Sequence, residues 1–198
     1  MKHLQKNESG QAAVRRRRMA APLYDWISAM IVALIVLVVF FSAVFRVVGV
    51  DGDSMVPTLQ DGDRLVLFCM TDHYSAGDIV VIDRYTREPL IKRVIAVAGD
   101  TVYIDADNAL YINDELQQEP YIQGVNVPRD MKGRVTVPNG CLFVMGDNRS
   151  VSMDSRMQDV GMVSVKDVVG RAVFRLWPLR SVGGIYGNLD YVRIKESD

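Results

Sequence analysis

The sequence predicts a mostly β protein, with a single N-terminal transmembrane helix followed by an antiparallel β-sheet domain. The helix is predicted by the apolar run from Trp26 to Phe45, which contains no charged side chain. The sheet is predicted by short β-branched runs that recur after this point, separated by Gly, Pro, Asn and Asp. Because no 10–15-residue helical pattern lies between these runs, the strands are expected to be antiparallel.

The apolar run is long enough to cross the roughly 30 Å hydrocarbon core of a bilayer as a helix. A cleaved signal peptide is the competing interpretation, but Ala43-Val44-Phe45 does not end in the small-x-small pattern of a cleavage site. Basic flanks stay in the cytoplasm, and the cluster Arg15–Arg18 precedes the run. We therefore expect a single-pass plasma-membrane protein with three parts: a cytoplasmic basic tail at 1–23, an anchor at 24–46, and an extracytoplasmic domain at 47–198 on the outer face.

The charge distribution argues against nucleic-acid binding by the globular part. The net charge is −1, and residues 1–25 hold six basic and two acidic side chains, so the remainder is acidic overall. Two cysteines, Cys69 and Cys141, are too few for a disulfide framework and are expected to be free thiols. Neither histidine has a cysteine or carboxylate at metal-ligand spacing, and we expect no metal and no cofactor.

Eight strands are expected, with turns at Asp107-Asn108, at Asn113-Asp114 and at Pro138-Asn139-Gly140. The polar, proline-containing segment Glu115–Lys132 is expected to be an irregular excursion from a long hairpin. The predicted strands are Arg64–Met70, Asp78–Asp83, Ile91–Ala98, Thr101–Asp105, Ala109–Ile112, Arg134–Val137, Cys141–Met145 and Val168–Leu176.

Ser54 lies on a predicted turn shortly after the anchor. A serine hydroxyl becomes a good nucleophile only when an adjacent base takes its proton. His3 precedes the anchor and His73 has no recognisable partner, whereas Lys92 is embedded in an apolar stretch. Burial disfavours the ammonium form and lowers the pKa of a lysine, which would suit a base. The alternative is that Lys92 extends to solvent from a strand edge.

Three segments resemble, in order, the signature boxes of type I signal peptidases: Gly52–Leu59, Lys92–Asp100 and Gly146–Arg156. Gly170–Arg175 and Gly183–Ile185 resemble the closing strands of the same family. The resemblance spans about residues 24–187 and is closest to the compact, single-anchor form typical of Gram-positive bacteria. It implies a membrane-bound serine endopeptidase that removes signal peptides from secreted preproteins.

The resemblance assigns a role to each matching residue. Ser54 would attack the scissile carbonyl, and Lys92 would act as the general base. Ser152 would hydrogen-bond the Lys92 amine and orient it. Asp154 and Arg156 would form a supporting ion pair beneath the site.

The same resemblance implies a substrate-binding surface. The substrate would bind in an extended conformation beside an exposed strand, in the manner of strand addition. Shallow apolar pockets would then select small residues at positions −1 and −3, and the residues that would line them are Val50, Met55, Leu59 and Ile91. The implied partners are signal peptides and the lipid bilayer, and the expected state is a monomer.

Two positions depart from the family pattern. Gly52 stands where some members have a serine that donates to the oxyanion, which leaves the Ser54 backbone N–H and other donors, such as water. Ala98 replaces a common proline. Two other functions stay open: a self-cleaving Ser/Lys repressor-type protease, and a membrane-anchored β module that binds peptides without cleaving them.

Overall fold

The computed structural model describes residues 24–84 and 87–185. Two compact units meet between Ala43 and Val44. Helix α1, Tyr24–Val44, lies in the first unit except for its last residue, and its side chains are exposed from Tyr24 to Ala43. By length and composition α1 could cross a membrane. The predicted basic tail, residues 1–23, lies outside the described residues.

The second unit is built from strands, which confirms the predicted fold class. Its described part also contains two short 3-10 helices, Val165–Asp167 and Leu179–Ser181. The strands are β1 (Phe45–Gly49), β2 (Arg64–Phe68), β3 (Ile79–Arg84), β4 (Arg87–Val97), β5 (Thr101–Ile104), β6 (Leu110–Ile112), β7 (Glu115–Leu116), β8 (Val135–Thr136), β9 (Cys141–Met145), β10 (Val163–Ser164), β11 (Val168–Trp177) and β12 (Gly183–Gly184).

These strands form two antiparallel sheets. The larger sheet has eight strands in the order β1-β2-β11-β3-β4-β9-β10, with β12 paired to β11. The smaller sheet has four strands in the order β7-β6-β5-β8. Central strand β4 pairs with β3 on one side and with β9 on the other, and this arrangement places Lys92 opposite Val80. The predicted lysine is therefore in the interior of the larger sheet.

Strand β1 differs from the expected end of the anchor. The helix ends at Val44, and Phe45–Gly49 already pairs with β2 from Phe45↔Phe68 to Gly49↔Arg64. Apolar β-branched residues such as Val44, Val47 and Val48 suit a strand as well as a membrane helix, so composition alone could not place this boundary. Strands β7 and β10, only two residues each, were also not predicted, and β7 occupies the start of the segment expected to be irregular. Strand β12 lies within Gly183–Ile185, which resembles a closing strand of the family.

The hairpin turns follow the predicted signals. Asn113 and Asp114 both have positive φ values, 52° and 69°, and they form the two-residue connection between β6 and β7. The segment after β7 is irregular as expected, apart from an isolated bridge between Gln123 and Asn148.

Buried apolar side chains form three clusters. One cluster joins the two sheets through residues such as Phe143 and Val102. A second lies around Val80 and Val144. The third contains Val50, Met55, Leu59, Leu65, Leu67, Ile79, Val81 and Ala172. Because this cluster includes residues on both sides of Ser54, it fixes the turn that carries the serine.

Candidate active site

The turn around Ser54 is held by apolar anchors and by its backbone. Met55 and Leu59 are 1% and 0% exposed, whereas Ser54 is half-buried. The Leu59 N–H donates to the Met55 carbonyl at 2.9 Å, which closes one turn of chain after the serine. Burial of its neighbours therefore presents the Ser54 hydroxyl at a defined position.

Lys92 reaches this hydroxyl from strand β4. Its Nζ donates to Ser54 Oγ at 2.7 Å and to the Ile91 carbonyl at 3.0 Å, and the residue is 2% exposed. The alternative in which Lys92 extends to solvent is wrong. Burial lowers the pKa of Lys92 to about 8, against the opposing charges of Asp154 and Asp147. A useful fraction of this amine is therefore neutral near neutral pH.

Ser152 lies beside the pair, but its described contacts differ from the expected ones. Its Oγ accepts from the Gly146 N–H at 3.1 Å, and its hydroxyl also interacts with the Asp154 carboxylate. Within the described part of the chain, no hydrogen bond joins Ser152 to Lys92. The described acceptors of Lys92 Nζ are instead the Ser54 hydroxyl and the Ile91 carbonyl.

Gly146 allows the end of β9 to approach the turn. A Cβ atom at this position would lie 2.3 Å from Ser152 Oγ and 2.5 Å from the Ser54 carbonyl oxygen. The next residues add two contacts, because the Asn148 backbone N–H donates to the Ser54 carbonyl at 3.0 Å and its side chain to Asp53 O at 3.2 Å. A glycine is thus required for backbone approach at 146.

The predicted ion pair between Asp154 and Arg156 is present and fully buried. Arg156 Nε and Nη2 each lie 2.8 Å from an oxygen of Asp154, and both side chains are 0% exposed. Burial would raise the pKa of Asp154, but the hydrogen bonds and charge of Arg156 hold it below its ordinary value. Arg156 Nη2 also donates to the Arg149 carbonyl, so the pair braces the loop that contains Ser152.

Two further buried ion pairs were missed by sequence reasoning. Arg93 binds Asp147 through Nε at 2.8 Å and Nη2 at 2.6 Å. Arg149 binds Glu119 in the same two-pronged manner, at 2.7 and 2.5 Å. Arg93 follows Lys92, and Asp147 and Arg149 lie in the Gly146–Arg156 segment, so their positions carried a signal. Glu119 carried none, because it lies in the irregular segment after β7.

The four predicted substrate-binding residues come together beside Ser54. Val50, Met55 and Leu59 are buried members of one apolar cluster, and Ile91 is half-buried and packs against it. In this structure they form core more than open pocket. A cavity of about 470 Å³ exists elsewhere, lined in part by Thr58, Arg93 and Tyr121 and by none of the predicted site residues.

Gly52 has a structural reason to be glycine. Its φ is +83°, a left-handed conformation that strains other residues, and its N–H donates to Asp61 Oδ1 at 3.0 Å. Across the described residues, the Ser54 backbone N–H donates to no protein acceptor. This N–H is therefore free to stabilise a developing oxyanion.

The described side chains suit acid–base chemistry. Among the described residues, no group of three or more His, Cys, Asp or Glu side chains is arranged to hold a metal ion. Both cysteines are free and half-buried. A hydroxyl in contact with a buried amine of lowered pKa is the arrangement of a serine hydrolase with a lysine base.

Comparison with known proteins agrees with this class. A model of the family described as signal peptidase, peptidase S26, matches residues 23–177. Signal peptidase I of Bacillus licheniformis is 37% identical over 173 residues, covering 81% of this chain and 91% of that protein. Signal peptidase IB of Staphylococcus aureus is 32% identical over 179 residues, with 81% and 92% covered. The chain belongs to the peptidase S26 family of signal peptidases.

A solved structure was also found among similar proteins. It is a crystal structure of a signal peptidase I from Enterococcus faecalis V583, with 27% identity and a TM-score of 0.40. The match covers 50% of this chain and 96% of that one.

Proposed function

We propose that this protein is a membrane-anchored serine endopeptidase that removes N-terminal signal peptides from secreted preproteins. The observation that carries the proposal is the 2.7 Å contact between Lys92 Nζ and Ser54 Oγ, with the lysine almost wholly buried. Membership of the signal peptidase family supports the substrate class. In this proposal Ser54 is the nucleophile and Lys92 is the general base.

The reaction would proceed through an acyl-enzyme. Neutral Lys92 takes the Ser54 proton as Oγ attacks the scissile carbonyl carbon, and the Ser54 backbone N–H stabilises the oxyanion. The Lys92 ammonium then protonates the leaving amine, which departs as the new N-terminus of the mature protein. Lys92 next accepts a proton from water as the water oxygen attacks the ester carbonyl carbon. The Lys92 ammonium then returns this proton to Ser54 Oγ as the C–Oγ bond breaks, which regenerates the serine and releases the signal peptide with a new C-terminal carboxyl group.

The surrounding residues would keep this geometry constant between steps. Ser152 and the Asp154–Arg156 pair hold the loop that abuts Ser54, although Ser152 acts here through Gly146 instead of through Lys92. Val50, Met55, Leu59 and Ile91 would rearrange slightly to accept the small side chains at −1 and −3. These residues surround the serine turn, which supports that placement.

The anchor would bring enzyme and substrate to one surface. Helix α1 has the length and composition for this role. The basic cluster Arg15–Arg18 supports a cytoplasmic N-terminus and a catalytic domain on the outer face of the plasma membrane. We further propose that the enzyme acts as a monomer.

Cleavage of a detergent-solubilised preprotein with an Ala-x-Ala site tests the proposal. The comparison is between wild type, Ser54→Ala and Lys92→Met, with the exposed Lys166→Met as the matched control. We expect cleavage after Ala-x-Ala by wild type and Lys166→Met, and loss of at least about 1,000-fold in the two site variants. Equal cleavage by all four proteins, or none by folded wild type, would overturn the proposal.

A further inference from the structure

The segment between β7 and β8, residues 117–134 and here called the connector, is attached to the loop at 146–156 by hydrogen bonds. The Gln123 N–H donates to the Asp147 carbonyl, and the Arg149 N–H donates back to the Gln123 carbonyl, both at 2.8 Å. Arg129 Nη2 donates to the Ser150 carbonyl at 2.7 Å. The irregular connector therefore lies against the loop that contains Ser152.

One charged contact dominates this attachment. The Arg149 and Glu119 side chains are 0% and 5% exposed and form two hydrogen bonds with each other. Asn126 accepts from Arg149 Nη1 and donates to Glu119 Oε2, which closes a buried triangle. A cation without solvent needs such partners, because an unpaired buried charge is strongly unfavourable.

Arg149 links this triangle to the reacting groups through Gly146. Its Nε donates to the Gly146 carbonyl at 3.1 Å, and the Gly146 N–H in turn donates to Ser152 Oγ. Gly146 also lies close against the Ser54 carbonyl oxygen. Only two residues, Arg149 and Gly146, therefore separate the Glu119 carboxylate from the serine turn.

We propose that Glu119 is a positioning residue for the cleavage reaction: its buried carboxylate fixes the Arg149 guanidinium, which holds Gly146 against the Ser54 turn. The inference rests on the proposed function. Glu119 touches neither Ser54 nor Lys92 in the described contacts, so its effect passes through Arg149. A small displacement of reacting groups can lower a rate about 100-fold, which is why such a residue matters.

The buried charges on and around the loop at 146–156 give this role a distinctive signature. They form three buried pairs: Arg93 with Asp147, Arg156 with Asp154, and Arg149 with Glu119. In Glu119→Gln the Arg149 charge would be unpaired in a region of low dielectric. An extra cation disfavours the Lys92 ammonium, so the pH at which Lys92 becomes neutral should fall. Loss of folded protein alone would not move that pH.

The experiment measures kcat, KM and the pH profile of kcat/KM for full-length protein on the Ala-x-Ala preprotein. The variants are Glu119→Gln and the double variant Glu119→Gln/Arg149→Met. The control is Asp114→Asn, which removes the acid of an exposed pair with Arg134. For Glu119→Gln we expect kcat to fall at least about tenfold and the profile midpoint to move to lower pH. The double variant should keep the low kcat and regain the wild-type midpoint.

The outcomes separate this inference from the proposed function. Folded Glu119→Gln with wild-type kcat and midpoint would overturn the inference, as would a loss of activity that only follows the unfolded fraction. If Glu119→Gln does not fold, the double variant decides. Wild-type kcat in the folded double variant would overturn the inference, and a tenfold lower kcat with unchanged KM would support it. Failure of wild type to cleave would instead contradict the proposed function.

Discussion

Lys92 and three arginines of the same domain are all buried, but the arginines are paired with carboxylates and Lys92 is not. Arg93, Arg149 and Arg156 each face a carboxylate through two hydrogen bonds. Lys92 donates instead to a hydroxyl and a carbonyl, which are neutral. The pKa of Lys92 is therefore lowered, whereas carboxylate pairing raises the pKa of Arg93 and Arg149 despite their burial. A buried cation that pairs with a carboxylate stays charged and stabilises the structure, whereas the buried lysine without such a pair can act as a base.

Replacing Lys92 should have the largest effect on activity. Lys92→Met removes the base, so activity should fall by at least about 1,000-fold. The pKa of Lys92 is about 8 in the folded protein, below the value of 10.5 that it has in the unfolded chain. The protonated Lys92 amine therefore destabilises the folded protein by its full amount below pH 8, and this destabilisation disappears as pH rises toward 10.5. Lys92→Met should thus increase the free energy of unfolding at pH 6.5 by about 3 kcal/mol.

Urea unfolding of wild type and Lys92→Met at pH 6.5 measures this gain. The same measurement at pH 10 should show a much smaller difference between the two proteins, because the wild-type penalty has been relieved. A variant that is less stable than wild type at pH 6.5 would show that the buried amine is not a burden on the fold.

Replacing an arginine of a buried ion pair should lower the stability of the protein, in contrast to replacing Lys92. Arg156→Met leaves the Asp154 carboxylate buried without its partner, which typically costs about 3–5 kcal/mol. Thermal unfolding followed by circular dichroism checks the loss. Asp114→Asn, at an exposed ion pair, is the control and should change stability little. Equal stability of the two variants would mean that the buried pair contributes no more than a surface pair.

Gly146 lies between the Ser54 turn and the loop that contains Ser152, and adding a side chain to it gives the smallest expected effect on stability. In Gly146→Ala the new Cβ would crowd the Ser54 carbonyl and Ser152 Oγ, so the loop or the turn must move. Overpacking of this kind costs about 1–3 kcal/mol, and we expect a fall in kcat larger than any change in KM. Gly49→Ala, where no atom lies within 4 Å of the new Cβ and φ is not positive, is the control for adding a methyl group where there is space. Wild-type kcat in Gly146→Ala would contradict close approach at this point.

The parts of the molecule that the sequence predicted are those with local signals. Alternating β-branched runs and Asn or Gly turns gave most strands, and the segments around Ser54, Lys92 and Asp154 carried family motifs. Strand β1 was mistaken in part for the anchor because its apolar composition suits both structures. Glu119 could not be found, because only the fold brings its irregular segment to Arg149. The Ser152 contacts likewise depend on backbone approach at Gly146.

The most direct test of the central claim is the pKa of Lys92 in the intact protein. The 13Cε chemical shift of Lys92 can be followed by NMR from pH 6 to 11 in lysine-labelled protein, with Lys92→Arg to assign the signal. We predict a midpoint at about 8, and cleavage activity that rises through the same pH range. A midpoint near the ordinary lysine value, about 10.4, would contradict the assignment of Lys92 as a base at neutral pH.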